Sequence, residues 1–369
     1  MKIFLMGCVV RILKMTYWGM KKCKVRNKVT FISRQTNSVT LDFSMISNCL
    51  LQEYSCVEIK MLAMKLEGSI FHKIRYAFHM IRQMYHIATS KVVVLDGYCI
   101  VASVLDHKEG TKIIQLWHAL CAIKKFGCQT LDTEEGSSSQ VAQIMRMHEN
   151  YDLVMCASEA TAAFYEKSFN VSRDKIKILG MPRVDVIKNP KNKNEEILGQ
   201  YPEFAGKKTI LYIPTFRKNE GAKVDSLIKG VDREKYNLLI KLHPLDLTQI
   251  DKTLQVDRKY GTYDLLKFAD YIITDYSAVS VEASILDKPV FFYIYDFNEY
   301  KKNRGLNVDI YKEMGQAASE DINKIIHWIE TNQYDIEKLR NFRDKYVETL
   351  NTDNTQAIAH QIISLIQED

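Results

Sequence analysis

The sequence has little of what would make it anything but an ordinary folded protein: 6 proline and 15 glycine residues in 369, and no internal repeat or low-complexity run. Those absences exclude collagen-like, solenoid and disordered architectures. There is no Cys-x-x-Cys pair. The eight cysteines (Cys8, Cys23, Cys49, Cys56, Cys99, Cys121, Cys128 and Cys156) lie within the first 156 residues at irregular spacing. With no histidine cluster beside them, they read as reduced thiols and not as a disulfide framework or zinc site. No Asp-x-Asp occurs, so the carboxylate clamp that commonly holds a metal ion on a diphosphate is missing, and no metal or cofactor is expected. The opening MKIFLMGCVVRILKMTYWGMKKCKVRNK is broken by Arg11 and Lys14 and has no small-residue cleavage site. It reads as neither a signal peptide nor a spanning helix.

What is present is 46% hydrophobic and 26% charged, in a chain too long for one core; two domains of ordinary size are expected. Charge is unevenly spread. Residues 1–100 carry 15 Lys+Arg against 5 Asp+Glu, and the remaining 269 carry 36 against 40. Bulky apolar residues with Tyr17 and Trp18, followed by Lys21, Lys22, Lys24, Arg26 and Lys28, fit a segment lying on an anionic membrane surface. The same residues also read as a first strand followed by a solvated basic loop. In SIFHKIRYAFHMIRQMYHIATS, His72, Arg75, His79, Arg82 and His86 recur every three or four residues and share one helical stripe. Ile70, Ile74, Ala77, Phe78, Ile81, Met84 and Tyr85 form the opposite stripe. Arg75, Arg82, Lys21 and Lys22 are therefore the candidate membrane contacts; no nucleic-acid partner is expected, and a homo-oligomer is left open.

From residue 91 onward strand and helix signals alternate as in parallel α/β sheets. Strand-like runs are 91–97, 112–118, 151–158, 175–180, 208–216, 236–244, 270–275 and 289–296. A polar break at 188–207 places a boundary near residue 190. The fold class expected is α/β, GT-B-like: two Rossmann-like parallel-sheet domains, 1–190 and 191–369, facing across a cleft, with the last helix able to return to the first domain. Strand after strand ends in useful polar groups: Trp117-His118, then Pro214-Thr215 and Arg217, then His243, then Thr274-Asp275-Tyr276-Ser277. A helix starting near Ser277 would aim backbone N–H groups at an anion, naturally a phosphate. Arg217 could offer a planar fork to its oxygens and His243 a donor, while Ser277 and Ala278 would permit close approach. Glu282 would lie on the same helical face as Asp275, placed to accept from ribose hydroxyls.

These residues carry a resemblance. LWHALCAIKKFG, LGMPRVD, ILYIPTFR, IKLHP and ADYIITDYSAVSVEASILDKPVFFYIYDFNEYKKNRG, in order from about 111 to 309, resemble the successive motifs of the CDP-glycerol glycerophosphotransferase family, the teichoic-acid primases and polymerases. The resemblance implies a GT-B fold, peripheral attachment to the cytoplasmic face of the membrane, and transfer of glycerol phosphate from CDP-glycerol to a hydroxyl of a lipid-linked acceptor with release of CMP. It makes His118 the base and Arg217, His243 and Ser277 donor-phosphate positions. With the strand-end reading, His118 and His243 are the candidate catalytic residues, and Pro214, Thr215, Arg217, His243, Thr274, Asp275, Ser277, Ala278 and Glu282 the candidate donor-binding set. Trp117, Lys124 and Lys125 would receive or steer the acceptor. CDP-ribitol as donor is the alternative, and a non-catalytic membrane- or glycan-binding relative a further one. Two positions depart from the pattern: Ala119 stands where the family has glycine, and Ala278 where it has a second serine.

Overall fold

The computed structural model describes residues 2–217, 221–256 and 258–368. The chain forms two compact units, one of residues 1–120, 125–185 and 351–369, the other of residues 121–124 and 186–350. The polar stretch 188–207 lies in the second unit and carries the short helix Asn194–Gln200.

The first unit is built on six parallel strands: β1 (Arg26–Ser33), β2 (Glu58–Ala63), β3 (Ser90–Leu95), β4 (Lys112–Gln115), β5 (Leu153–Cys156) and β6 (Ile176–Ile178), in the order β2-β1-β3-β4-β5-β6. β3 and β5 are rich in Val, Leu and Met and almost wholly buried, as expected where helices cover both faces of a parallel sheet. The order reverses between β1 and β3, and such a switch point opens a crevice at the carboxyl ends of the strands. The second unit repeats this with β7 (Lys208–Tyr212), β8 (Tyr236–Ile240), β9 (Tyr271–Thr274), β10 (Val290–Tyr293) and β11 (Ala318–Ser319), ordered β11-β10-β9-β7-β8 and again all parallel. Its reversal falls between β7 and β9.

Several strands stop earlier than their apolar runs. The run 112–118 ends as a strand at Gln115, because Trp117 sits at φ 65°, outside the β region. The run 208–216 ends at Tyr212, two residues before Pro214, which has no N–H for a ladder. The N-terminal segment is neither a strand nor a loop but the helix Lys2–Met20. By length and composition, Ile3–Met20 could cross a membrane. The helix nevertheless rests on the unit through Leu13 and Tyr17, whose hydroxyl pairs with His107 Nδ1 at 3.0 Å.

The helix Ile70–Ala88 corrects the assignment of its two stripes. Tyr76, His79, Gln83, Met84 and Ile87 face the unit, whereas Ile70, Phe71, Ile74, Phe78, Ile81 and Tyr85 are exposed, Phe71 to 80%. His79, expected on the basic outer stripe, is buried, and burial lowers its pKa. Arg75 and Arg82 are exposed beside the apolar residues.

The final helix, Asn354–Gln367, packs on β3 and on the helix Leu41–Glu53 of the first unit. Asp185 holds its start: its carboxylate accepts from the Asn354 and Thr355 amides, at 3.2 and 2.8 Å, and from both side chains. Asp185→Ala leaves the first turn of this helix without that partner and should cost about 2–3 kcal/mol. Urea unfolding followed by circular dichroism should show the midpoint falling with the slope unchanged.

Candidate active site

In the first unit, polar groups gather where β1, β3 and β4 end. His118 follows β4 by three residues and is exposed. Its Nδ1 lies 2.9 Å from the Asp96 carbonyl oxygen. A carbonyl can only accept, so Nδ1 carries the proton and Nε2 keeps its lone pair in the neutral ring. The Gln35 amide nitrogen lies 3.3 Å from the same Nδ1; with the proton there, the amide oxygen is the atom suited to face it. That arrangement suits a base, since the bond at Nδ1 settles which nitrogen is available to take a proton.

Trp117 and Ala119 flank the histidine and are both anchored. Trp117, expected to meet the acceptor, is half-buried in an aromatic stack: its ring lies 4.5 Å from Phe126 at 20°, 4.2 Å from His118 and 5.2 Å from Phe169. The Tyr165 hydroxyl donates to the Ala119 carbonyl at 3.0 Å. The left-handed position in this turn belongs to Trp117; the departure from glycine at 119 therefore adds a methyl group to a pinned peptide. Asp96 is a residue the sequence reading passed over. Its carboxylate is buried, neither oxygen has a hydrogen bond of ordinary geometry, and burial pushes its pKa up to about 6, only partly offset by the nearby Ser33 hydroxyl and Arg34 amide. Lys125 is half-buried in the first unit. Lys124 belongs to the second, in a β-bridge with Leu306 and with its carbonyl accepting from the Asn307 amide.

In the second unit the ends of β7, β8 and β9 carry the other candidates, and several take roles different from those expected. Arg217 does not present an open fork. Its Nε and Nη2 meet both oxygens of Asp296 at 2.7 and 3.1 Å, and its Nη1 meets Asp275 at 2.8 Å and the Thr215 carbonyl at 2.9 Å. Four of its five N–H donors are thus engaged. Rings of Tyr295, Tyr300 and Tyr276 surround the guanidinium at 4.7, 5.6 and 5.8 Å. Burial alone would favour losing its proton, but the hydrogen bonds to Asp296 and the charge of Asp275 outweigh it and raise the pKa. Asp296 escaped sequence reasoning because it lies 79 residues from its partner in an otherwise apolar strand ending.

Asp275 and Thr274 likewise support the site from beneath. Asp275 is fully buried and accepts from the Thr215 amide at 2.9 and 3.0 Å; the buried Thr274 hydroxyl donates to the Ile213 carbonyl at 2.7 Å. Together they fix the turn Pro214–Arg217, with Pro214 buried and the Thr215 hydroxyl oxygen buried and unpartnered. Glu282 is also buried and accepts from the Tyr263 hydroxyl at 3.3 Å, so it is not an open acceptor for ribose. The helix after β9 runs only over Val279–Ser284, with Ala278 as its cap, and the Ser277 hydroxyl accepts from the Val279 amide at 3.3 Å. Its N-terminus is shorter and better satisfied than the sequence suggested. Ser277 and Ala278 stay partly exposed.

His243 is exposed. Its Nδ1 accepts from the Leu245 amide at 3.2 Å, which leaves the proton of the neutral ring on Nε2, and Phe216 lies against it at 5.2 Å. The two histidines are thus set in opposite tautomers: His118 Nε2 accepts and His243 Nε2 donates. Lys223, exposed with Nζ 4.7 Å over the Tyr295 ring, adds a cation beside the Arg217 cluster.

Arg217→Met would leave the buried Asp275 and the half-buried Asp296 with their cation gone and should destabilise by about 3–5 kcal/mol. Adding Asp296→Asn should recover part of that loss, as read from urea midpoints of the single and double variants.

A family model described as CDP-glycerol:poly(glycerophosphate) glycerophosphotransferase matches residues 13–364. The chain is 31% identical over 299 residues to the teichoic acid glycerol-phosphate primase of Bacillus subtilis, covering 78% of this chain and 77% of that one. It is 28% identical over 357 residues to the teichoic acid ribitol-phosphate primase of Bacillus spizizenii, covering 92% of each. The solved wall teichoic acid polymerase TagF superposes over 99% of this chain and 97% of its own with a TM-score of 0.73 at 19% identity. The UDP-GlcNAc 2-epimerase of Methanocaldococcus jannaschii shares the fold more distantly, with a TM-score of 0.56 at 14% identity over 91% of this chain and 99% of that one. The match over nearly the whole chain, with both units carrying the fold of these enzymes, makes this chain a member of the CDP-glycerol:poly(glycerophosphate) glycerophosphotransferase family.

Proposed function

We propose that this enzyme transfers glycerol phosphate from CDP-glycerol to a hydroxyl of a lipid-linked glycan or polyol-phosphate acceptor, releasing CMP, while resting on the cytoplasmic face of a membrane. The observation that carries the chemistry is His118, whose Nδ1–H is held by the Asp96 carbonyl so that the lone pair of the neutral ring lies on Nε2. The acceptor hydroxyl loses its proton to Nε2 as its oxygen attacks the distal phosphorus; the bond from that phosphorus to the bridging oxygen breaks, and CMP leaves with the electron pair. Negative charge spreads over the phosphoryl oxygens in the transition state, so fixed donors should dominate the rate. In this reading His243 Nε2–H, Ser277 and the unpartnered Thr215 hydroxyl meet the donor phosphates. Arg217, Asp275 and Asp296 hold the turn that presents Thr215, and Lys223 supplies cationic charge that the paired Arg217 does not. Lys125 is left as the lysine that steers the acceptor.

A second donor, CDP-ribitol, is favoured by one observation: the ribitol-phosphate primase aligns over a larger share of this chain than the glycerol-phosphate primase does. A parallel assay of CMP release from both donors separates the two readings.

The membrane part rests on the helices Lys2–Met20 and Ile70–Ala88, which pack side by side in the first unit. They expose Phe4, Leu5, Ile12, Met15 and Trp18 on one and Phe71, Ile74 and Phe78 on the other. Neither helix contains an acidic residue, and Arg11, Arg75 and Arg82 are exposed among the apolar side chains, with Lys22 at 4.4 Å over Trp18. Apolar groups beside unpaired basic ones fit an interfacial seat on anionic lipid.

His118→Ala should lower turnover by roughly 10²–10⁴ while leaving CDP-glycerol affinity nearly intact, whereas His243→Ala should weaken donor binding along with turnover. Calorimetric titration of donor, run beside CMP release with a lipid-linked acceptor, reads both; loss of donor binding in His118→Ala with its rate at saturating donor unchanged would make His118 a ligand instead. On vesicles containing phosphatidylserine, Arg75→Gln with Arg82→Gln should cost about 1 kcal/mol per charge at low salt and less at high salt. Ile74→Asp with Phe78→Asp should weaken binding at every salt concentration. Equal binding of wild type to neutral and anionic vesicles would refute the electrostatic part.

A further inference from the structure

Behind His118 lies a buried ion pair that the transfer chemistry above does not use. Arg183, second residue of the helix Pro182–Lys188, donates its backbone N–H to Asp42 Oδ1 at 3.0 Å and its Nε to Asp42 Oδ2 at 3.2 Å, with Nη2 completing the pair. The two side chains are only 14% and 6% exposed. Asp42 is itself fixed, in the first turn of the helix Leu41–Glu53, where a carboxylate is favoured by the helix dipole. The remaining arm of the guanidinium, Nη1, reaches the main-chain carbonyl of His118 at 3.0 Å.

His118 is therefore gripped twice, at its ring by the Asp96 carbonyl and at its peptide by Arg183. The second grip matters because this turn is strained: Trp117, the preceding residue, holds a left-handed backbone that a bulky side chain rarely adopts. Without a fixed carbonyl at His118, the peptide can relax and carry Nε2 away from the acceptor oxygen. A planar fork bonded along one edge to a buried carboxylate has its remaining arm fixed in direction, which a flexible ammonium would not match. We propose that Asp42 and Arg183 form a positioning pair for the base, setting His118 for proton removal without touching donor or acceptor. This rests on His118 being the base.

The test compares Arg183→Lys, Arg183→Met, Asp42→Asn and His118→Ala, each first confirmed folded by circular dichroism. Arg183→Lys keeps charge toward Asp42 but loses the arm to His118, so it reads the grip even if Arg183→Met fails to fold. Turnover should fall on the order of 10²-fold in Arg183→Lys, the size of effect expected when a reacting group is displaced by about 1 Å, with CDP-glycerol affinity within about twofold of wild type. Nitrogen-15 spectra of histidine-labelled protein should show His118 as the Nδ1–H tautomer in wild type and as a mixture in Arg183→Lys and Asp42→Asn, a change that a pair serving stability alone would not produce. If His118→Ala collapses turnover while Arg183→Lys keeps it within about threefold and keeps the tautomer, the positioning role is overturned and the base assignment stands. If His118→Ala retains full turnover, the base assignment fails and takes this proposal with it.

Discussion

Parallel strands all end at the same edge, and the candidate site of each unit depends on how the polar groups delivered there are satisfied. A strand buried on both faces is apolar until its last residue, so its first polar side chains appear together with those of its neighbours, at the reversal of strand order. Burying them without partners would cost several kcal/mol each. The first unit answers with Asp42, Arg183 and the Asp96 carbonyl arranged around His118; the second answers with Asp275, Arg217 and Asp296 around the turn Pro214–Arg217. In each case the charged groups serve chiefly one another, and the exposed histidine, His118 or His243, has a backbone group at its Nδ1 that sets the tautomer.

This division explains what could be read from the residues alone. Apolar runs, most of them ending in polar groups, marked eight strands, β3 to β10, and both histidines, because that pattern is local in sequence. The roles of Arg217, Asp275 and Glu282 could not be read the same way. Whether an arginine offers its fork to a ligand or spends it on Asp296 is decided by a residue 79 positions away. Arg183 stood in a quoted motif, yet its purpose required knowing that Asp42, 141 residues distant, would meet it. β1 and β2 were passed over: charged residues open the RNKVTFIS of β1, and only one residue of β2 is fully buried, as befits an edge strand.

The helix Ile70–Ala88 shows the limit of periodicity as evidence. Its two stripes were legible, but the face turned to the core takes His79 from one, Met84 from the other, and Tyr76, Gln83 and Ile87 from neither. Aliphatic residues on a helix ordinarily turn inward; here Ile74, Phe78 and Ile81 turn outward while His79 and Gln83 are buried. A surface of that kind is costly in water and would be less so against lipid.

In the proposed mechanism the acceptor hydroxyl attacks phosphorus directly, with His118 Nε2 taking the proton and not forming a bond to phosphorus. CDP-glycerol made chiral with oxygen isotopes at the phosphorus bonded to glycerol tests it. A single in-line displacement predicts inversion at that phosphorus in the product. Retention would mean two displacements through a phosphorylated residue, and would contradict the role assigned here to His118.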